Sequence, residues 1–169
     1  MPANLVISPA TLADTGTILH LIRQLADYEH LSHEVCATEP LLAEHLFGRD
    51  RAAEALIARL DGEPVGFALY FTTFSTFVGR PGIWLEDIFV LPRHRRHGIG
   101  RVLLRQVAAI AVARNCGRLE WSVLDWNEPA LRFYQKIGAT PMSDWTIQRM
   151  TGDALRKLAE SSEPPHPGV

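Results

Sequence analysis

Apolar and polar positions along the chain alternate in some stretches and follow helical spacing in others, and the order of these stretches outlines an α/β fold of the α+β kind. Leu5-Val6-Ile7 reads as a first strand. Thr11-Leu12-Ala13-Asp14 has the form of a capping box with Asp in place of Glu, and Ile18, Leu21, Ile22 and Leu25 then repeat at helical spacing. A second helix starts at Thr38-Glu39-Pro40, carries Leu41, Leu42, His45 and Leu46, and has Gly48 as its C-terminal stop. Glu54 to Leu60 and Val65 to Phe71 form an antiparallel hairpin around a slightly long loop, Asp61-Gly62-Glu63-Pro64.

The second half alternates strand and helix. Thr72 to Gly82 is a polar, glycine-containing connection, of the kind that often carries substrate contacts, and Ile83 to Val90 is an apolar strand. The Arg101 to Arg114 helix offers Val102, Leu103, Val107, Ile110 and Ala111 for burial, and Leu119 to Leu124 is a strand parallel to the one before it, because a helix crossover separates them. Asn127-Glu128-Pro129 opens a helix that runs through Tyr134 and stops near Gly138. Trp145 to Met150 is expected to be a last strand and Thr151 to Glu160 a terminal helix. The organisation is one domain over residues 1–160, followed by a disordered tail over 161–169 rich in Ser and Pro.

Composition narrows the classes. The 169 residues carry a formal charge of −2, so the basic run from Arg93 to Arg101 is a local feature and a nucleic-acid partner is not expected. Two cysteines, Cys36 and Cys116, lack Cys-x-x-Cys spacing, and no apolar run has the length of a signal or membrane span; a reducing cytoplasm fits best. His94 and His97 are three apart without a third ligand at a metal spacing, so no metal is expected. Trp84, Trp121, Trp126 and Trp145 read as core or pocket walls rather than base-stacking platforms.

The chemistry concentrates between Ile83 and Arg105. An apolar strand runs through Leu91-Pro92 into Arg95-Arg96-His97-Gly98-Ile99-Gly100 and then a long helix. A helix N-terminus has unpaired amides and partial positive charge, glycines let an anion approach the backbone, and guanidinium groups suit phosphate oxygens. A diphosphate cradle is one reading and a flexible turn with a solvated basic run is the other. Walker A spacing fails because Arg101-Val102 follows Gly100, and a dinucleotide fingerprint fails because Leu103 stands where a third glycine is needed.

Several motifs in one order resemble the GNAT N-acetyltransferase superfamily, and more closely its spermidine/spermine and thialysine (diamine) acetyltransferase group. The family-wide part is Arg95 to Gly100, similar to the Gln/Arg-x-x-Gly-x-Gly/Ala loop; the closer part is Leu25-Ala26-Asp27-Tyr28-Glu29, Leu85 to Val90, and Trp126-Asn127-Glu128-Pro129 leading to Phe133-Tyr134-Gln135-Lys136-Ile137-Gly138-Ala139. The resemblance implies a GNAT fold, a mixed central sheet splayed between its fourth and fifth strands and flanked by helices. It implies acetyl-CoA as cosubstrate, its arm paired with the backbone of Ile88, Phe89 and Val90. Its pyrophosphate would lie on the loop formed by Arg95, Arg96, His97, Gly98, Ile99, Gly100 and Arg101. Asn127, Ala130 and Tyr134 would be further cofactor contacts, although Asn127 suits a helix N-cap equally.

By the same resemblance Glu86 is the general base and Tyr134 the acid that protonates the CoA thiolate, while Tyr28, Glu29, Glu86 and Asp87 hold a cationic amine. The residues themselves leave alternatives: Glu86 as an acid paired with an arginine, Tyr134 as an amphipathic core residue, Glu29 as a solvated acid. Glu86 and Asp87 should point to opposite faces of their strand unless a bulge intervenes. The Thr72 to Gly82 segment has no acid, and the Met142 to Trp145 turn offers only Asp144, so a small diamine or a lysine-like amino acid such as thialysine is favoured over spermine. Direct attack of the amine on the thioester in a ternary complex and a homodimer are implied. A protein or peptide N-acetyltransferase and a non-catalytic acetyl-CoA-binding module are the alternatives.

Overall fold

The computed structural model describes residues 4–161; of the expected disordered tail, all but Ser161 lies outside them. The chain divides into two compact units, the first ending at Ser122 and the second beginning at Val123.

The first unit is built on a five-stranded sheet in the order β1-β2-β3-β4-β5, with β1 at Leu5–Pro9, β2 at Glu54–Leu60, β3 at Glu63–Ser75, β4 at Arg80–Val90 and β5 at Leu119–Trp121. The first four pair antiparallel and β5 joins β4 in parallel, so the sheet is mixed as expected. Three boundaries differ from the expected ones. Asp61 and Gly62 both take positive φ, 53° and 88°, which closes the β2–β3 turn in two residues, so Glu63 pairs directly with Leu60. Pro64, which has no N–H to give the ladder, is then accommodated beside an extra residue, Val65, between the pairs Arg59–Pro64 and Ala58–Gly66. The Thr72 to Gly82 connection is mostly strand, since β3 and β4 pair out to Ser75–Arg80.

Helix α1, Thr15–Glu29, follows a one-turn helix at Leu12–Asp14 that carries the capping box; the Thr11 amide donates to Asp14 Oδ2 at 2.8 Å. Burial holds Asp14 up, but these bonds and the Arg59 guanidinium win and keep its pKa below the usual value. Helix α2, Glu39–Phe47, begins at the Thr38 cap and ends at Gly48, whose φ of −71° needs no glycine. The constraint is space: a Cβ there would stand 2.3 Å from the Glu44 carbonyl oxygen. Ile18 and Leu21 of α1 and Leu46 of α2 pack with Ile57, Phe67, Leu69 and Phe89 on one face of the sheet. Helix α3, Ile99–Ala113, buries Leu103, Leu104, Val107 and Ala111 and packs chiefly on β4 and β3.

The second unit contains α4, Glu128–Lys136, and α5, Gly152–Glu160. The expected strand at Trp145 to Met150 is not formed: alternation is present, but a strand also needs a ladder partner, and none exists among the described residues, where Trp145 and Ile147 are exposed. Likewise β5 stops at Trp121, short of Leu124.

Candidate active site

Strand β4 supplies most of the site, and its local irregularity decides the geometry. Tyr70 pairs with Leu85 and Leu69 with Asp87, so Glu86 is an extra residue, a β-bulge. Paired residues share a face, which places Asp87 with Leu69 and Trp84 with Phe71, all on the face covered by α1 and α2. The Trp84 indole N–H donates to Glu86 Oε2 at 2.9 Å, so Glu86 belongs to that face too. The bulge therefore overrides simple alternation and makes the two acids neighbours.

Glu29, the last residue of α1, completes the group. Burial pushes the Asp87 carboxyl up to about 7, and the negative charges of Glu86 and Glu29 add to the shift. Burial also raises Glu29. Glu86 is exposed. Such a set of carboxylates can hold an ammonium group, with one member titrating near neutrality. Tyr28 packs on the α1–α2 core, and the Arg95 guanidinium carbon stands 4.0 Å from its ring centroid.

Among the described residues β5 pairs with β4 only as far as Leu85, so on that side Glu86 to Val90 have no strand partner, as a splayed sheet requires. Ile88, Phe89 and Val90 lie on this edge; Val90 C=O already accepts from Arg95 Nε at 3.0 Å. A one-turn helix at Pro92–His94 leads to the loop. Arg96 takes a positive φ of 66°, and Gly98 caps α3 at φ 79° with open space where a Cβ would stand. The helix begins at Ile99 rather than Arg101, which puts Gly100 and Arg101 inside its first turn, where amides have no intrahelical partner. Arg96, His97, Gly98 and Arg101 are exposed around these donors. This cradle fits a diphosphate, and the open β4 edge fits an extended amide-bearing arm.

In the second unit, the Asn127 side chain accepts from the Ala130 amide at 3.4 Å, so the N-cap reading of Asn127 holds and the Ala130 N–H is engaged. Tyr134 is half-buried on α4 beside Phe133, their ring centroids 5.4 Å apart, and the helix closes at Gly138, φ 89°. His94 accepts from Arg93 Nε, and among the described residues no group of three or more His, Cys, Asp or Glu side chains forms a metal site.

Comparison with known proteins agrees with this layout. The model of the acetyltransferase (GNAT) family matches residues 20–139. The chain belongs to that family. This GNAT acetyltransferase is 39% identical over 168 residues to thialysine N-epsilon-acetyltransferase of Bos taurus, covering 93% of this chain and 98% of the relative. It is 31% identical over 194 residues to L-ornithine N5-acetyltransferase NATA1 of Arabidopsis thaliana, covering 88% and 85% respectively. Among solved structures it is similar to an integron cassette protein from the V. cholerae mobile metagenome, VCH_CASS6, with a TM-score of 0.78, 28% identity, and coverage of 94% of this chain and 99% of that one. GNAT acetyltransferases use acetyl-CoA, and this one is an acyltransferase that acts on an amine. A bulge at Glu86 is the condition that the residues alone left open, and the strand pairing meets it; Glu29, Glu86 and Asp87 enter as amine contacts through the family resemblance.

Proposed function

We propose that this enzyme acetylates the side-chain amine of a small lysine-like molecule, such as thialysine or a short diamine, by direct attack in a ternary complex. The observation that carries the reading is the gathering of Glu29, Glu86 and Asp87 on one face at the bulge, next to the open edge of β4. Similarity to relatives named for thialysine and ornithine acetylation supports it. The lack of any acid between Thr72 and Gly82 argues for a short acceptor.

The three carboxylates hold the incoming ammonium and orient it toward the β4 edge. An alkyl ammonium with a pKa near 10.4 costs about 4.6 kcal/mol to deprotonate at pH 7. Glu86, exposed and oriented by the Trp84 indole, takes that proton through water. Bound acetyl-CoA supplies a thioester carbonyl for the freed amine, with Arg96 to Arg101 holding its diphosphate and the backbone of Ile88 to Val90 its arm. As the C–N bond forms and the C–S bond breaks, Tyr134 gives its phenolic proton to the departing sulfur, and the second proton that the nitrogen loses on becoming an amide restores the phenol through water.

Purified protein with acetyl-CoA and a panel of thialysine, lysine, ornithine, short diamines, spermine and a peptide with a free N-terminus is expected to release CoA fastest with the lysine-like acceptors. Faster turnover of spermine or the peptide, or none with any amine, overturns the reading.

A further inference from the structure

Arg95 is the first residue of the glycine loop, and the motif would give it to the diphosphate. Its contacts lie elsewhere. The backbone N–H donates to the Pro92 carbonyl at 3.2 Å, and the side-chain Nε donates to the Val90 carbonyl at 3.0 Å. The guanidinium carbon stands 4.0 Å from the Tyr28 ring centroid and 5.4 Å from that of Phe89. Arg96 and Arg101, by contrast, are exposed and make no ion pair among the described residues.

We infer that Arg95 is a positioning residue of the acceptor pocket, clamping the last turn of α1, with Tyr28 and Glu29, to the end of β4. This rests on the proposed acceptor pocket. A guanidinium suits the task, since its plane stacks on Tyr28 while its edge holds the Val90 carbonyl.

The last turn of α1 has a reason to need a clamp. The helix ends at His30, a non-glycine residue held at φ 61°, a conformation disfavoured for a residue with a Cβ. That end gains support from the contact over Tyr28, two residues earlier. Loosening it moves Glu29 relative to Asp87 and Glu86 while leaving the amides of the α3 first turn in place.

The test compares full-length wild type with Arg95→Gln, Arg95→Lys and Tyr28→Leu. Acetyl-CoA affinity is measured by calorimetry and amide hydrogen exchange followed at 27–31. Arg95→Gln is expected to speed exchange at 27–31 about tenfold while acetyl-CoA affinity stays within tenfold of wild type. Arg95→Lys, which keeps the charge but loses the plane, recovers part of the protection. Tyr28→Leu reproduces the Arg95→Gln exchange pattern, and the double variant is no worse than the worse single one. A loss of acetyl-CoA affinity beyond tenfold in Arg95→Gln, or unchanged exchange at 27–31, overturns the inference. Neither readout needs turnover, so a wild type that acetylates no amine defeats the proposed acceptor chemistry without deciding the role of Arg95.

Discussion

Glu86 and Asp87, adjacent in sequence, stand on the same face of β4, because the bulge opposite Leu69 and Tyr70 inserts Glu86 as an extra residue. Burial is the main cause that pushes Asp87 up to about 7, and the neighbouring negative charges of Glu86 and Glu29 add to it. Two consequences with opposite signs follow. Ionised Asp87 attracts the ammonium, so kcat/KM for the amine should rise through about pH 7, and Asp87→Asn should flatten that limb and raise the amine KM. For stability, a carboxyl whose pKa is raised on folding binds its proton more tightly in the native state. Stability is therefore lost as pH climbs from the ordinary value of 3.8 to about 7 and is flat beyond. Asp87→Asn should have a higher Tm than wild type at pH 8 and gain little at pH 4, measured by thermal unfolding at both.

The same bulge shows how far the sequence could be read. Leu85-Glu86-Asp87-Ile88 sets two acids side by side, a break in alternation that is compatible with a bulge but does not establish one, since a bulge is defined by pairing with the neighbouring strand. Element types survive from periodicity alone for α1 and α3, where apolar residues recur over several turns. Pro64 misled the reading of the hairpin because proline usually marks a loop, whereas Asp61-Gly62 already completes the turn. Trp145 to Met150 carries strand alternation without a partner among the described residues, and pairing is a property that a local pattern does not hold. The glycine loop was legible in outline. That Arg95 faces Tyr28 required the fold, since α1 and the loop are far apart in sequence.

Gly98 separates backbone strain from ligand contact. At φ 79° a Cβ meets no protein atom within 4 Å, so Gly98→Ala should cost only the left-handed penalty, about 1 kcal/mol. If a phosphate lies against this turn, the methyl group also obstructs it. The expected outcome is a small fall in Tm with a tenfold or greater loss of acetyl-CoA affinity, read by calorimetry on the folded variant. A fall in Tm with full affinity would make the glycine purely conformational.

Asp14 anchors the start of α1 through Thr11 and joins it to β2 through Arg59. Its folded pKa is depressed, so the stability it contributes is present above the ordinary 3.8 and lost as pH falls through the folded value. Asp14→Asn should destabilise by about 2 kcal/mol at pH 7, the scale of a hydrogen bond to a charged group, and by less at pH 3. Urea unfolding at the two pH values checks both size and sign.

Tyr134 is placed on α4 within two turns of the Asn127 cap, and the closure at Gly138 fixes where that helix ends. A tyrosine kept only for packing would be replaced by phenylalanine at little cost, because the ring contact with Phe133 persists. A tyrosine that protonates the leaving sulfur would not, since general acid catalysis is worth about 10²-fold or more. Tyr134→Phe is therefore expected to keep its Tm and acetyl-CoA affinity while kcat falls about 10²-fold. The loss should be smaller with acyl donors whose leaving thiol is more acidic, because a better leaving group needs less help from a proton. A uniform loss across such donors would remove Tyr134 from the acid role.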